Sequence, residues 1–295
     1  MKLIHWLALV LTALALGLAA CGGDEEEGGG GQAGQQPART FPEGTTMARL
    51  QQARTIKIGV KYDVPPFGFR NPQNDQVEGF DVDLGKRIAE ELGVKPEFVE
   101  AVSDNRIPFL QDGTADLILS TMTINAERDK EIDFSEPYFI ARGRILTKQD
   151  SDIRGVDDLA NKRVCTALGS TYEDTLKKEA PRAELRLVDS YSECLELIQN
   201  GAVDAVSTDD VILTGMIIQD DTLKLVEGEE LTTEPYGAGI KDGDKEFQEF
   251  VSSVVADWKK DGGWKQAYQK WVGQYTNEAQ QPPTMTLREA VELGT

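Results

Sequence analysis

The feature that most restricts the fold of this chain is an alternation of strand-like and helix-like segments that runs through it twice. From Thr55 the sequence reads Ile56-Lys57-Ile58-Gly59-Val60 and then breaks at Pro65-Pro66, which predicts a strand entering a loop. Asp81 to Leu92 places Val82, Leu84, Ile88, Ala89 and Leu92 on one face and is followed by Gly93, the pattern of an amphipathic helix with a glycine stop. Glu97 to Val99 reads as a short strand, Ile107 to Gln111 as a short helix and Ala115 to Leu119 as a buried strand. After Gly143 the alternation begins again. Strands are expected at Ile145 to Thr147, Arg163 to Thr166, Leu185 to Val188 and Ala205-Val206, with a helical turn at Val156 to Leu159 and helices at Tyr172 to Lys178 and Ser192 to Asn200 between them. Such alternation predicts α/β lobes with mainly parallel sheets covered by helices, and 295 residues are enough for two of them.

A glycine-rich strand near Tyr236 and helices at Lys245 to Val255 and Trp264 to Trp271 complete the expected folded part. From about Thr276 the chain, with Pro282-Pro283, reads as a loosely attached tail. Open α/β sheets bind ligands beyond the carboxyl ends of their strands, and polar residues stand at those ends here. Lys61 follows the first strand, Ser120 to Thr123 the strand ending at Leu119, Gly169-Ser170-Thr171 the Val164 strand and Asp209-Asp210 the Val206 strand. Two lobes facing one another would share these groups in one cleft.

The N-terminus restricts location. Lys2 precedes an apolar run from Trp6 to Ala20 that ends in Leu18-Ala19-Ala20-Cys21. The run is shorter than the roughly 20 residues that span a bilayer, so residues 1–20 read as a signal peptide rather than an uncleaved anchor. Its end resembles the lipobox of bacterial lipoproteins, which implies a lipid on Cys21. The following Gly- and Glu-rich stretch, within residues 21–50, has almost nothing apolar to bury and is expected to be a disordered tether. Two further cysteines, Cys165 and Cys194, form an even pair outside the cytosol, which favours a bridge over two buried free thiols.

Charge and composition remove whole classes of function. The 51 acidic residues against 31 basic give a formal charge of −20, a field that repels nucleic-acid phosphates. The single histidine, His5, lies in the expected signal peptide. A mature chain without imidazole cannot activate a nucleophile by the Ser-His-Asp or Cys-His route, nor build the usual histidine zinc sites. No cofactor or metal is expected.

Taken together, several motifs resemble the polar amino-acid-binding family of bacterial ABC-transporter solute-binding proteins, family 3. They are Gly79-Phe80-Asp81-Val82-Asp83-Leu84, Asn105-Arg106-Ile107-Pro108, Thr121 to Arg128, Ile132 to Tyr138, Gly169-Ser170-Thr171, Thr208-Asp209-Asp210 and Tyr236-Gly237. The resemblance spans about Thr55 to Gly273. It implies a periplasmic-binding-protein-like fold of two lobes joined by hinge strands near Tyr138 to Arg144 and Thr233 to Gly239. Lobe 1 is then expected at 51–140 and 236–275, lobe 2 at 141–235 and the tail at 276–295.

The same resemblance assigns roles. Arg128 corresponds to the arginine that forks onto a ligand α-carboxylate, assisted by Thr123 and by Ser170 and Thr171 at a helix N-terminus. Asp209 corresponds to the acid that receives the α-ammonium group, with Thr121 beside it. Planar guanidinium forks and helix N-termini suit a carboxylate. Lys61 and Arg106 are expected to face the distal pocket, with Ser103 nearby. A neutral glutamine would leave those desolvated cations unpaired, at a cost on the order of 3 to 5 kcal/mol, so glutamate or aspartate is expected over glutamine. Some relatives pack an aromatic on the ligand from the position of Val64 or Ser103; with neither aromatic here, Tyr62 or Phe67 is expected to serve. The cysteine pair resembles one in actinobacterial glutamate-binding relatives. The implied partners are an amino acid, the permease of an ABC transporter and, through Cys21, a membrane, with the protein acting as a monomer. Two rivals share the fold: a sensor module, and a dehydratase-like enzyme for which Glu173 or Asp210 would supply the acid. The aromatic stripe Trp258, Trp264, Tyr268 and Trp271 reads as lobe-packing core.

Overall fold

The short apolar runs assemble into two sheets, each too narrow to bury itself without the helices that follow its strands. A computed structural model describes residues 39–228, 230–276 and 279–293; the signal-peptide and Cys21 expectations lie outside these residues. Lobe 1 opens with α1 (Thr46–Ala53), β1 (Thr55–Val60), a small antiparallel sheet of β2 (Asp63–Val64), β3 (Gly68–Arg70) and β4 (Val77–Glu78), then α2 (Phe80–Leu92), β5 (Lys95–Glu100), α3 (Arg106–Asp112), β6 (Leu117–Ile118) and β7 (Ile132–Phe134). Lobe 2 follows with β8 (Phe139–Lys148), β9 (Arg163–Ala167), α4 (Tyr172–Glu179), β10 (Glu184–Val188), α5 (Tyr191–Gln199), β11 (Ala205–Asp209), α6 (Asp210–Gln219) and β12 (Leu223–Leu225). The chain returns through β13 (Thr233–Tyr236) to β14 (Gly239–Lys241), α7 (Lys245–Lys260) and α8 (Gly263–Tyr268), and ends in α9 (Leu287–Leu293).

The lobe 1 sheet has the order β5-β1-β6-β14-β7 and the lobe 2 sheet the order β10-β9-β11-β8-β12. In each, three neighbouring strands pair in parallel, as the alternation requires, and one antiparallel strand, β14 of the return segment or β8 of the hinge, separates them from a fifth, β7 or β12, that runs in their direction. The hinge is visible in the pairing of β8. Its first residues, Phe139 to Arg142, pair with β13, and from Gly143 onward it joins the lobe 2 sheet against β11. One strand therefore leaves lobe 1 and the other returns to it.

Local chemistry explains most elements. The buried face of α2 is formed by Phe80, Val82, Leu84, Ile88 and Leu92, and Gly93 at φ 71° donates back to Ala89 and Glu90 carbonyls. Only glycine enters this region without steric cost. Gly59 of β1 is a close-approach position, since a Cβ there would lie 2.4 Å from Ile118 Cδ1. In lobe 2 the structure joins Cys165 of β9 to Cys194 of α5 with Cα atoms 5.6 Å apart, both cysteines fully buried. Trp264 stacks on Tyr268 at 5.1 Å and donates from Nε1 to Tyr138 O, so the aromatic stripe is packing core.

Beyond the short strands β2, β3, β4, β7 and β12, which carry no sequence signal, the structure differs from the sequence expectation in four places. The tether expected within residues 21–50 ends early, since α1 begins at Thr46 and buries Met47 and Leu50; two apolar side chains suffice to dock one helical face. The tail is not loose, because Ala290 of α9 is fully buried with Met285, Leu287 and Val291 packed beside it, and Leu287 N donates to Glu136 Oε2. The strand near Tyr236 is two strands, broken where Gly237 N turns to Met122 O. Helix α6 has no counterpart in the sequence expectation, since its sequence, Asp-Val-Ile-Leu-Thr-Gly-Met-Ile-Ile-Gln, is apolar nearly all round and carries no amphipathic period. Among the described residues no helix is long and apolar enough to cross a membrane.

Candidate functional site

The strand ends converge where the two lobes meet. Eight of the nine residues expected at the site, Ser103, Arg106, Thr121, Thr123, Arg128, Ser170, Thr171 and Asp209, line one hollow, joined there by Tyr172, Tyr191 and Ile212. The ninth, Lys61, stands one bond behind the wall. Its Nζ donates to Ser103 Oγ at 2.8 Å and lies 5.6 Å from the centre of the Tyr191 ring, rather than facing the hollow as expected.

Both guanidinium groups are held by the backbone. Arg106, at the start of α3, donates from Nε to Ser103 O (3.0 Å), from Nη1 to Ser120 O (3.0 Å) and Thr121 O (3.1 Å), and from Nη2 to Gly169 O across the cleft (3.2 Å). Arg128 donates from Nη1 to Thr123 O (2.8 Å) and from Nη2 to the same Gly169 oxygen (3.0 Å). Two guanidinium groups of lobe 1 thus share one carbonyl of lobe 2. All three cations are desolvated. Burial first, and then Arg106, pushes the Lys61 amine down to about 7. Burial and then Arg128 push Arg106 down to about 9, and burial lowers Arg128 as well. Among the described residues none of the three forms an ion pair with a carboxylate within 4.0 Å.

The anions are screened by hydroxyls. Asp209, at the junction of β11 and α6, accepts from Tyr172 OH at 2.8 Å and Tyr236 OH at 2.7 Å. Burial, followed by the charge of Glu234, raises it well above the ordinary carboxylate range. Asp81 accepts from Thr121 N (2.9 Å) and Tyr138 OH (2.8 Å), and burial pushes it up to about 7. It thereby holds Thr121 at φ 44°, a left-handed conformation that β-branched residues avoid. That conformation aims Thr121 O at Arg106.

Further contacts close the lobes over this hollow. Asp63 Oδ2 in lobe 1 accepts from Tyr191 N (2.8 Å) and Ser192 N (3.1 Å), the first residues of α5. Gly215 of α6 lies against lobe 1 so tightly that a Cβ would stand 1.7 Å from Pro65 O.

Some expectations about the site are corrected. Phe67 is buried among Phe80, Phe139 and Tyr236, and Tyr62 bonds Phe98 O under Arg70; the aromatics on the hollow are Tyr172 and Tyr191. Each opens a helix just after a strand, so the strand-end rule that found Thr171 could also have found them. Glu234 and Asp81 carried no such signal. Glu173 pairs with Lys177 on an exposed helix face, and Asp210 accepts from Arg142 N and Val211 N; neither lines the hollow.

Two mixed α/β lobes, two hinge strands and a charged hollow between facing strand ends define a bilobal solute-binding protein. The chain belongs to the bacterial extracellular solute-binding proteins, family 3, whose family model matches residues 56–274. It is 36% identical over 276 residues to the ABC transporter glutamine-binding protein GlnH of Bacillus subtilis (strain 168), covering 92% of this chain and 98% of that one. It is 35% identical over 222 residues to the glutamate-binding protein GluB of Corynebacterium glutamicum, covering 70% and 75%. Among solved structures, an ancestral arginine-binding protein bound to glutamine superposes with a TM-score of 0.71 at 39% identity, covering 74% of this chain and 98% of the other.

Proposed function

We propose that the protein is an extracytoplasmic receptor that captures an acidic amino acid, glutamate or aspartate, between its lobes and delivers it to an ABC importer. The observation that carries this reading is the pair of buried guanidinium groups on the wall of the hollow, Arg106 and Arg128, neither paired with a carboxylate, against the single carboxylate of Asp209 on that wall. A free amino acid supplies one carboxylate to Arg128 and one ammonium group to Asp209. The carboxylate competes with Gly169 O for the guanidinium donors, and charge-assisted bonds are the stronger. A second carboxylate on the ligand side chain would answer the positive field of Lys61 and Arg106. Closure excludes water and strengthens each of these contacts.

Glutamine is the second reading. The relatives with glutamine in their names support it, and so does the Lys61 amine, which at about 7 can meet a ligand uncharged. In either case the protein acts as a receptor and not as an enzyme. Lipid on Cys21, a signal peptide at residues 1–20, a monomeric state and a bridge between Cys165 and Cys194 in the mature protein belong to the same proposal. Calorimetry of residues 22–295 with glutamate, aspartate, glutamine and arginine tests it. Glutamate is expected to bind most tightly, and tighter binding of glutamine or arginine would show that Lys61 and Arg106 do not select the side chain. Arg128→Ala should weaken every amino acid by about a hundredfold or more, the loss of a buried bidentate charge contact. Affinity within threefold of wild type would defeat the assignment.

A further inference from the structure

Glu234, on the hinge strand β13, has no role in the capture scheme described so far. Its side chain is buried at 3% exposure. A single oxygen, Oε2, accepts from the hydroxyl of Thr123 in lobe 1 at 2.6 Å and from the hydroxyl of Thr171 in lobe 2 at 3.1 Å. Both threonines line the hollow. A hydroxyl owns one proton and two lone pairs. With both protons committed to a carboxylate oxygen, the two hydroxyls can offer only lone pairs to a molecule in the hollow. They are therefore acceptors, ill suited to the ligand carboxylate they were expected to help hold and well suited to an ammonium group. Asp209, on the same wall, has the same polarity, and the charge of Glu234 bears on both Asp209 and Arg128.

We propose that Glu234 is a positioning residue that sets the polarity of the ligand cradle, taking one hydroxyl proton from each lobe so that Thr123 and Thr171 become acceptors for an α-ammonium group. The proposal rests on the amino-acid reading of the site. Because the two hydroxyls come from opposite lobes, they reach Oε2 together when the lobes are closed, which couples closure to recognition of the ammonium group.

The test is calorimetry of the full-length protein with glutamate, in wild type and in Glu234→Gln, each with Thr171 intact and with Thr171→Val. Glutamine keeps the shape of the side chain and removes its charge. If Glu234 acts through the threonines, Glu234→Gln lowers affinity about tenfold or more, the scale of a charge-assisted hydrogen bond, and the factor shrinks at least threefold in the Thr171→Val background. An equal factor in both backgrounds, or no loss at all, overturns the proposal, because a purely structural glutamate would not sense the hydroxyl. If Glu234→Gln does not fold, Thr171→Ser and Thr171→Val decide with Glu234 intact: serine keeps affinity within about threefold and valine loses about tenfold, and equal effects sink the idea. A wild-type protein that binds no amino acid removes the underlying reading, and the proposal with it; a wild type that binds glutamate while the variants fail the pattern refutes the role of Glu234 alone.

Discussion

At the scale of single residues the protein is organised around buried charge. Lys61 has an ordinary value of 10.5, which burial and Arg106 bring to about 7 in the folded chain. Between those values the unfolded chain carries a proton that the folded one does not, so the stability of the unliganded protein rises with pH across that window. The contribution is fully present above 10.5 and is lost as pH falls through 7. Lys61→Met should flatten the rise, measured by urea unfolding at several values between pH 7 and 10; an unchanged slope would mean that other groups produce it. Binding should run in the opposite direction. The Lys61 cation is present below about pH 7, so any preference for glutamate over glutamine should shrink when the two affinities are compared at pH 6 and pH 8. A preference that is constant or grows would remove Lys61 from side-chain selection. Arg106, Arg128 and Asp209 were readable because each stands in a motif or just beyond a strand. Glu234 was not, because a lone acid in a sequence with 51 acidic residues carries no mark of burial, and Asp81 stands in the Gly79 to Leu84 motif without a role assigned to it.

At the scale of elements, helices α5 and α6 present lobe 2 to lobe 1. The first amides of α5 lack partners within their own helix, and Asp63 satisfies two of them from the opposite lobe. The aspartate also meets the positive end of the helix. Asp63→Ala should therefore speed ligand release several-fold, seen by stopped-flow dissociation, with little change in the rate of association; an unaltered release rate would deny the contact any part in closure. On α6, Gly215→Ala would place a methyl group where Pro65 O stands. Lobe closure should be obstructed, lowering affinity at least tenfold, while the melting temperature of the unliganded protein moves little. A normal affinity would show that the two elements need not approach this closely. The helices with an apolar stripe, α2 and α7, were legible from their period, whereas α6 is buried on most sides and shows none.

At the scale of the whole molecule, the lobes are secured separately. The link between Cys165 and Cys194 closes 29 residues of lobe 2. On the chain-entropy model that constraint is worth about 3.6 kcal/mol, with the mechanism model-dependent. Replacing both cysteines by alanine should lower the denaturant midpoint and the melting temperature clearly, and an unchanged unfolding curve would show that the thiols are not joined in the folded protein. The C-terminal segment, which lies beyond the residues matched by the family model, packs on lobe 1 and reaches the hinge strand, where Gln280 Nε2 donates to Ile140 O.

The sequence by itself determined the alternating elements of two α/β lobes and the strand ends at which polar groups would gather, because strand and helix periods and post-strand positions are local properties, while the place where the chain crosses between the lobes was legible only through the family resemblance. The same resemblance brought Arg106 and Arg128 to one site. Tertiary structure decided which lone pairs and protons face the hollow. That outcome depends on contacts between residues more than a hundred positions apart, such as Thr123 with Glu234, and no local pattern encodes the direction in which a hydroxyl gives its proton.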